Sequence, residues 1–261
     1  MRENLFRKRI KEGKPTLGTH IHSTWPGTVE IIGHTRTVDY IEFLGEYSAY
    51  DLDWLDNFAR LTELYGLSSM LKVDQSLETF LAQRAVGSGI QSILFTDIRN
   101  QEEARRAVKA VRAEVPGGGI LGCAMRRDVG YLLEIGSKAY VKAANDTVVA
   151  FMIEKKEALD NLDAILDVEG LDMVQFGPCD YSLSLGIPGQ WSRPEVKEAE
   201  RKVITKALQK GILPRVELFD FDEAKEYLDM GVRHFCIGYD VVIQYNWLKD
   251  HAGRLKEILS E

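Results

Sequence analysis

Glu154 and Asp180 are the residues on which chemistry in this 261-residue chain would turn. Glu154 ends the apolar, β-branched run that starts at Val148, and Asp180 follows the run Met173–Phe176 within Gly177-Pro178-Cys179-Asp180. Between them Ala158, Leu159, Leu162, Ile165 and Leu166 recur at helical spacing, so the stretch reads as strand, helix, strand. In a parallel sheet with helical crossovers, the C-terminal ends of successive strands lie on one face. Two carboxylates brought together there repel unless one is protonated or a cation bridges them. The sharper expectation is a divalent metal. Oxygen-only ligands from protein, substrate and water favour Mg2+ or Mn2+, with Co2+ as a substitute. The plainer alternative is that Glu154 favours the start of the next helix and Asp180 caps a turn.

The other strand ends offer His20 and His22, Glu46 and Tyr47, and Lys72 and Asp74. His20 and His22 are two apart on one predicted strand, so they face the same side. As a pair they read equally as catalytic groups and as hydrogen-bonded structural ones. Lys72 sits between Leu71 and Val73, and an ammonium among apolar neighbours needs a carboxylate close by, from the substrate or from Glu46. A Schiff-base role for Lys72 is open too, but it leaves the carboxylate pair without a purpose.

These ends need a scaffold, and the periodicity supplies one. Strands are predicted over 17–23, 38–44, 69–73, 92–96, 148–154, 173–176, 213–218 and 234–237, with helices over 3–12, 26–34, 51–65, 77–86, 102–114, 194–209, 221–230 and from 240 onward. Residues 117–146 lose the rhythm apart from Tyr131-Leu132-Leu133 and Tyr140-Val141, and a long irregular stretch of this kind usually carries function or covers a site. Eight strands alternating with helices predict an α/β fold, one (β/α)8 TIM barrel spanning 1–261. An open doubly wound sheet is the alternative. It would normally place a glycine-rich phosphate loop after strand one, where this chain has Ser23-Thr24-Trp25-Pro26-Gly27.

Composition removes several classes of function. A formal net charge of −7 speaks against a nucleic-acid surface. Cys123, Cys179 and Cys236 are far apart and odd in number, which fits a reducing compartment and neither a disulfide framework nor a zinc knuckle. The basic start, MRENLFRKRIKEGKPTLG, lacks the apolar core of a secretory signal, and no apolar run reaches the ~18 residues needed to span a membrane. The expected location is the cytoplasm.

With Glu154, the Gly177–Asp180 segment and Ser184-Leu185-Gly186 in hand, the chain resembles the HpcH/HpaI aldolase/citrate lyase family from Gly18 to about Leu248. The most specific stretch is Ile153-Glu154 followed by Phe176-Gly177-Pro178-x-Asp180-x-Ser182, a carboxylate spacing of 180 − 154 = 26. The resemblance implies a metal-dependent class II pyruvate aldolase on a (β/α)8 barrel. It carries the family's metal-binding Glu and Asp onto Glu154 and Asp180. Its cradle for the pyruvate carboxylate falls on Gly177, Pro178, Cys179 and Asp180, with Cys179 offering its N–H and not its thiol. The chain also departs from the pattern. The family's Glu-His and Gly-Pro-Phe-Asp after strand two become Glu46-Tyr47-Ser48-Ala49-Tyr50-Asp51, so a phenol replaces the acid/base imidazole. The Asp that orients that imidazole falls at Gly87, and a Gln before the metal Glu becomes Met152. The substrate-holding Arg falls at Lys72, which keeps the charge and loses the bidentate fork.

The expectation is therefore a lyase that cleaves a C–C bond of a 4-hydroxy-2-oxo acid, with a metal-stabilised enolate released as pyruvate or a close relative. Oxaloacetate-type decarboxylation on the same site is a second reading, since it needs no proton-abstracting pair. A catalytically idle barrel that binds a 2-oxo acid is a third. Candidates for the displaced base are His22, His20 and Tyr47. His22 is preferred as nearer the mouth, with Tyr47 orienting the substrate and Lys72, beside Glu46, supplying a cation. The segment 240–259 carries Val242, Ile243, Tyr245, Trp247 and Leu248, more apolar positions than one barrel groove needs. In the resembled family this helix packs on a neighbouring subunit, which implies a homo-oligomer, with a hexamer favoured.

Overall fold

The computed structural model of the chain describes residues 2–76 and 78–260. Eight parallel strands, β1 (Thr16–Ile21), β2 (Tyr40–Leu44), β3 (Ser68–Val73), β4 (Ser92–Phe95), β5 (Val148–Ile153), β6 (Met173–Phe176), β7 (Leu213–Leu218) and β8 (His234–Tyr239), close in sequence order into a barrel. Closure comes from β8 pairing with β1, His20 lying opposite Tyr239 across an irregularity after Gly18. The fold is the predicted (β/α)8 TIM barrel, with helices between successive strands.

Alternation along the strands decides what faces the barrel interior. Tyr40, Met70, Leu94, Val148, Ala150, Met152, Met173 and Cys236 form an inner apolar cluster, while Ile41, Phe43, Leu71, Val73, Val149, Phe151 and Ile153 pack outward under the helices. The same period of two continues to polar residues. Glu42, Lys72, Gln175, Arg215 and Glu217 occupy inward positions, and Glu154 follows Met152 in step, one residue past the end of β5. Gly18 serves this interior directly. A Cβ there would lie 2.2 Å from the Tyr40 ring, which crosses the barrel to donate its hydroxyl to Phe235 O at 3.0 Å.

The lower end is closed by the N-terminal helix Leu5–Lys11, whose N-cap Asn4 accepts the Arg7 N–H. Its Phe6 is buried and stacks on Tyr40 with ring centroids 4.7 Å apart, while Arg7 pairs with Asp172 and donates to the carbonyls of Asp146 and Thr147. Burying a ring of this size is worth about 2–3 kcal/mol, so the helix works as a plug for the barrel floor.

Several boundaries differ from the sequence reading, each for a local reason. β1 ends at Ile21, leaving His22 beyond the strand. The helix expected over 77–86 begins on Leu77, which lies outside the described residues, and its described part is Glu78–Ser88. The helix expected to run to Glu114 stops at Ala110, because Arg112 turns inward to donate to Thr147 O and Gly170 O. The single crossover expected after Glu154 is two short helices, Lys156–Asp160 and Leu162–Leu166, broken at Asn161. Residues 111–137 contain one 3-10 turn, Arg127–Val129, before the helix Lys138–Asn145. They pack on the outer helices, with Arg127 pairing with Glu63 and donating to Ser88 O. This segment does not cover the strand ends that carry Glu154.

The last helix, Asp240–Ile258, has no buried residue, and Ile243, Tyr245, Trp247 and Ile258 are largely exposed. No helix among the described residues is long and apolar enough to cross a membrane.

Candidate active site

At the C-terminal ends of the strands lies a cavity of about 540 Å3 lined by Glu154, Gly177, Pro178, Cys179, Asp180, Tyr47 and Lys72. A roomier cleft of about 750 Å3 sits at the opposite, N-terminal end, among Asn4, Glu63, Gln91 and Arg127. The smaller one holds the convergent carboxylates, and barrel chemistry belongs at the C-terminal face.

Glu154 is buried and fixed at one oxygen, Oε1 accepting the Asp97 N–H at 2.7 Å. Asp97 can offer that N–H because its backbone is left-handed, φ 55°, a conformation that Asp tolerates better than most residues. Its own carboxylate is held by Arg99 at 2.9 Å. The second Glu154 oxygen lies under Gly177, where a Cβ would come within 2.8 Å of Oε2. Glycine at 177 therefore lets the chain pass directly over the carboxylate. Burial pushes the Glu154 carboxyl up to about 7, against the pull of Lys72 and the Asp97 N–H and with the nearby Asp180 charge adding to the rise.

Asp180 lies in the first turn of the helix Pro178–Ser184, partly exposed, with Oδ1 accepting from Lys155 at 2.9 Å. Pro178 has no N–H, and the Cys179 and Asp180 amides in that turn have no intrahelical acceptor. Both residues line the cavity, in the segment expected to cradle a carboxylate. The Cys179 thiol is itself raised by burial and by the Asp180 charge.

Across the cavity, Lys72 donates to the Tyr47 hydroxyl at 2.5 Å and lies 2.8 Å from Glu46 Oε2. The contact with Glu46 is an ion pair off the hydrogen-bonding direction, which leaves that buried oxygen without a hydrogen-bond partner. Burial works against the Lys72 charge, but Tyr47, Glu154 and Glu46 together raise its pKa and keep it an ammonium. The Tyr47 phenol is pushed up to about 12, burial outweighing the neighbouring ammonium. It is a hydrogen-bonding group at neutral pH and a poor base.

The two histidines part company. His22, past the end of β1, places Nδ1 3.1 Å from Asp240 Oδ1 and faces the Tyr47 ring at 6.2 Å. Asp240 also accepts the backbone N–H groups of His22, at 3.0 Å, and Ser23, at 2.9 Å, so it holds both the loop and the ring. His20 is fully buried beneath Tyr239, their rings stacked 4.4 Å apart, with Nδ1 toward Gly238 O at 3.1 Å and Cys236 Sγ at 3.5 Å. Burial would lower its pKa, but Cys236, Glu42 and Glu217 raise it to about 9.

The residues present fit a hard divalent cation. One buried carboxylate oxygen faces the cavity, Asp180 keeps Oδ2 clear of Lys155, and the remaining positions would be water and substrate oxygens. Among the described residues, three metal-ligating side chains converge elsewhere. Donor atoms of His20, Glu42 and Cys236 lie within 4.8 Å of one another deeper in the barrel. There Arg215 already pairs with Glu42, and Tyr40 and Gln175 complete its hydrogen bonds, so this is a neutralised internal network.

Sequence reasoning did not single out Asp97 or Asp240. Each is an acidic residue within two positions of a strand's C-terminal end, and that position was the available signal. At Gly87, where the resembled pattern has an Asp, a Cβ would lie 2.2 Å from Arg126 Cδ, so a carboxylate there would have to displace Arg126.

Fold and site together define a (β/α)8-barrel protein with an acidic site at the C-terminal ends of its strands. The family model of the HpcH/HpaI aldolase/citrate lyases matches residues 55–246, and the chain belongs to that family. By class it is a carbon–carbon lyase. A 4-hydroxy-2-oxo-heptane-1,7-dioate aldolase from Escherichia coli is 28% identical over 247 residues, covering 92% of this chain and 90% of its own. An HpcH/HpaI aldolase from Desulfitobacterium hafniense DCB-2 superposes with a TM-score of 0.88 at 24% identity, covering 98% of each chain. The citrate synthase SbnG superposes with a TM-score of 0.87 at 22% identity, covering 99% of this chain and 100% of its own.

Proposed function

We propose that this protein is a divalent-metal-dependent lyase acting on 4-hydroxy-2-oxo acids, with pyruvate or a close relative released through an enolate. The observation that carries the reading is Glu154, buried, fixed at Oε1 by the Asp97 N–H and open to the cavity at Oε2 beside Lys72 and Asp180. Glu154 and Asp180 would hold the cation, Mg2+ or Mn2+ with Co2+ as a substitute, which when bound supplies Lewis-acid stabilisation of enolate charge.

The chain's own groups carry the rest. The amides of Cys179 and Asp180 receive the 2-oxo-acid carboxylate, and the Lys72 ammonium balances its charge from the opposite wall. Cleavage needs the proton of the 4-hydroxyl to leave, and His22 is the base. With Nδ1 bonded to Asp240, the ring's Nε2 is the acceptor. Tyr47, pinned by Lys72, orients the hydroxyl by hydrogen bonding. A panel of 4-hydroxy-2-oxo acids with added Mg2+ or Mn2+ tests this. Pyruvate release that depends on metal supports it. Consumption of oxaloacetate alone would favour decarboxylation on the same residues, and no turnover of either would leave a binding protein.

The same proposal extends to assembly. The exposed apolar residues of Asp240–Ile258 are covered by a second copy of the chain, in a homo-oligomer with a hexamer favoured, working in the cytoplasm.

A further inference from the structure

The cavity continues outward from Lys72 and Glu154 to a rim of unlike chemistry. The Phe219 and Tyr239 rings stack with centroids 5.9 Å apart and 26° between planes, and Tyr239 rests in turn on buried His20. Trp191 lines the same rim from the segment after the Pro178–Ser184 helix. Phe219 is 71% exposed and Trp191 49% exposed, so both present apolar ring surface at the mouth. Aromatic rings presented at a concave mouth favour a ligand that is itself flat and apolar.

Charge points the same way. Of the described residues lining the cavity, eight are carboxylates and three are cations. All three cations are committed. Arg215 is enclosed with Glu42, Lys197 pairs with Glu200 at 3.1 Å, and Lys72 serves Glu46 and Tyr47. With Glu154 and Asp180 assigned to a metal, and Glu217 held by Gln175 and facing His20, the outer wall still presents Asp222 and Glu223 with no cation paired to them among the described residues. A carboxylate at the far end of a substrate would meet these exposed acids at the rim, where like charges repel within a Debye length of ~8–10 Å and no paired cation among the described residues offsets them.

Resting on the enolate reading above, we propose that the aldehyde half of the substrate is aromatic and carries no carboxylate. It differs in this from the four-carbon aldehyde acid, 4-oxobutanoate, that cleavage of a 4-hydroxy-2-oxo-heptane-1,7-dioate leaves beside pyruvate. In the forward addition, the methyl carbon of pyruvate, as its enolate, forms a bond to the aldehyde carbon. The carbonyl π pair moves to oxygen, which takes up one proton and becomes the 4-hydroxyl. Cleavage is the reverse, with the aldehyde's ring lying against Phe219 and Tyr239.

The test is addition of pyruvate to benzaldehyde and to 4-oxobutanoate by the full chain with Mn2+, compared as kcat/KM. Benzaldehyde is favoured at least tenfold, Phe219→Ala lowers that preference about tenfold, and Phe219→Tyr retains it. Asp222→Lys narrows the gap by raising the rate with 4-oxobutanoate. A wild-type preference for 4-oxobutanoate, or a ratio unmoved in Phe219→Ala, overturns the proposal. Exchange of the pyruvate methyl protons with solvent, without addition to benzaldehyde, overturns the substrate class alone. Absence of that exchange overturns the enolate reading beneath it.

Discussion

Asp240 Oδ1 lies 3.1 Å from His22 Nδ1 while the same carboxylate accepts the His22 and Ser23 backbone N–H groups. The carboxylate thus sets ring and loop together, in the manner of a base and its orienting acid. His22→Gln should lower kcat for aldol cleavage by ~10²–10⁴, the usual worth of general base catalysis, with KM little changed. Asp240→Asn, which keeps an acceptor oxygen for the loop amides, should lower kcat by a smaller factor. The pH–rate profiles of His22→Gln, His20→Gln and Tyr47→Phe decide the assignment. Loss of the acidic limb in the His22 variant alone agrees with it. Unchanged profiles in both histidine variants together with an inactive Tyr47→Phe would make the phenol the base.

The metal reading makes a separate prediction. Glu154→Gln and Asp180→Asn each remove an anionic ligand from a site of two carboxylates, and each should weaken binding of Mg2+ or Mn2+ sharply while far-ultraviolet circular dichroism stays unchanged. Titration with Mn2+ followed by electron paramagnetic resonance reads this without reference to turnover. Wild-type affinity in both variants would show that these carboxylates are not the ligands.

Without metal, Glu154 should cost stability as the pH rises. Its carboxyl is raised from 4.5 to about 7 by burial, so between those values the folded protein holds a proton that the unfolded chain has released. Unfolding free energy therefore falls with rising pH across that window, by on the order of 3 kcal/mol in total, and is flat above it. In Glu154→Gln the contribution is absent. In urea unfolding with a chelator present, the variant should be the more stable protein at pH 8 and its advantage should disappear near pH 4. An advantage independent of pH would place the effect elsewhere.

The helix Asp240–Ile258 supplies the fourth prediction. Tyr245, Trp247 and Ile258 are exposed on a helix with no buried residue, more apolar surface than a lone chain normally leaves bare. Light scattering of the full chain should give a multiple of the 29.5 kDa monomer mass, a hexamer being favoured. Ile243→Glu combined with Trp247→Glu should shift it to smaller species. A monomer at micromolar concentration in the unsubstituted protein contradicts the assembly.

What could be read in the sequence followed from period two along the strands. Met152 and Glu154 alternate inward with Val148 and Ala150, and Met70 with Lys72, so the barrel and the inward carboxylate and ammonium were visible in residue order alone. The Lys72–Glu46 pair needed only adjacent strand ends, β2 beside β3. Other features depend on contacts that no local pattern encodes. His22 and Asp240 are 218 residues apart and meet because β8 closes on β1. The N–H that fixes Glu154 comes from a left-handed turn at Asp97, a choice made by the backbone and not by hydrophobicity. The long segment 117–146 lacks sustained periodicity, and its irregularity was a sign of function in prospect. Its arginines instead anchor it to outer helices, through Arg127 with Glu63 and Arg126 with Gln83 O.

Enolate formation is the step on which every aldol reading depends, and exchange of the pyruvate methyl protons with deuterated water measures it most directly. With Mg2+ or Mn2+ the protein should exchange them at a rate that chelator abolishes and that Glu154→Gln reduces by at least a hundredfold. Exchange that persists in chelator or in Glu154→Gln, or its absence from the metal-supplemented wild type, would contradict the account.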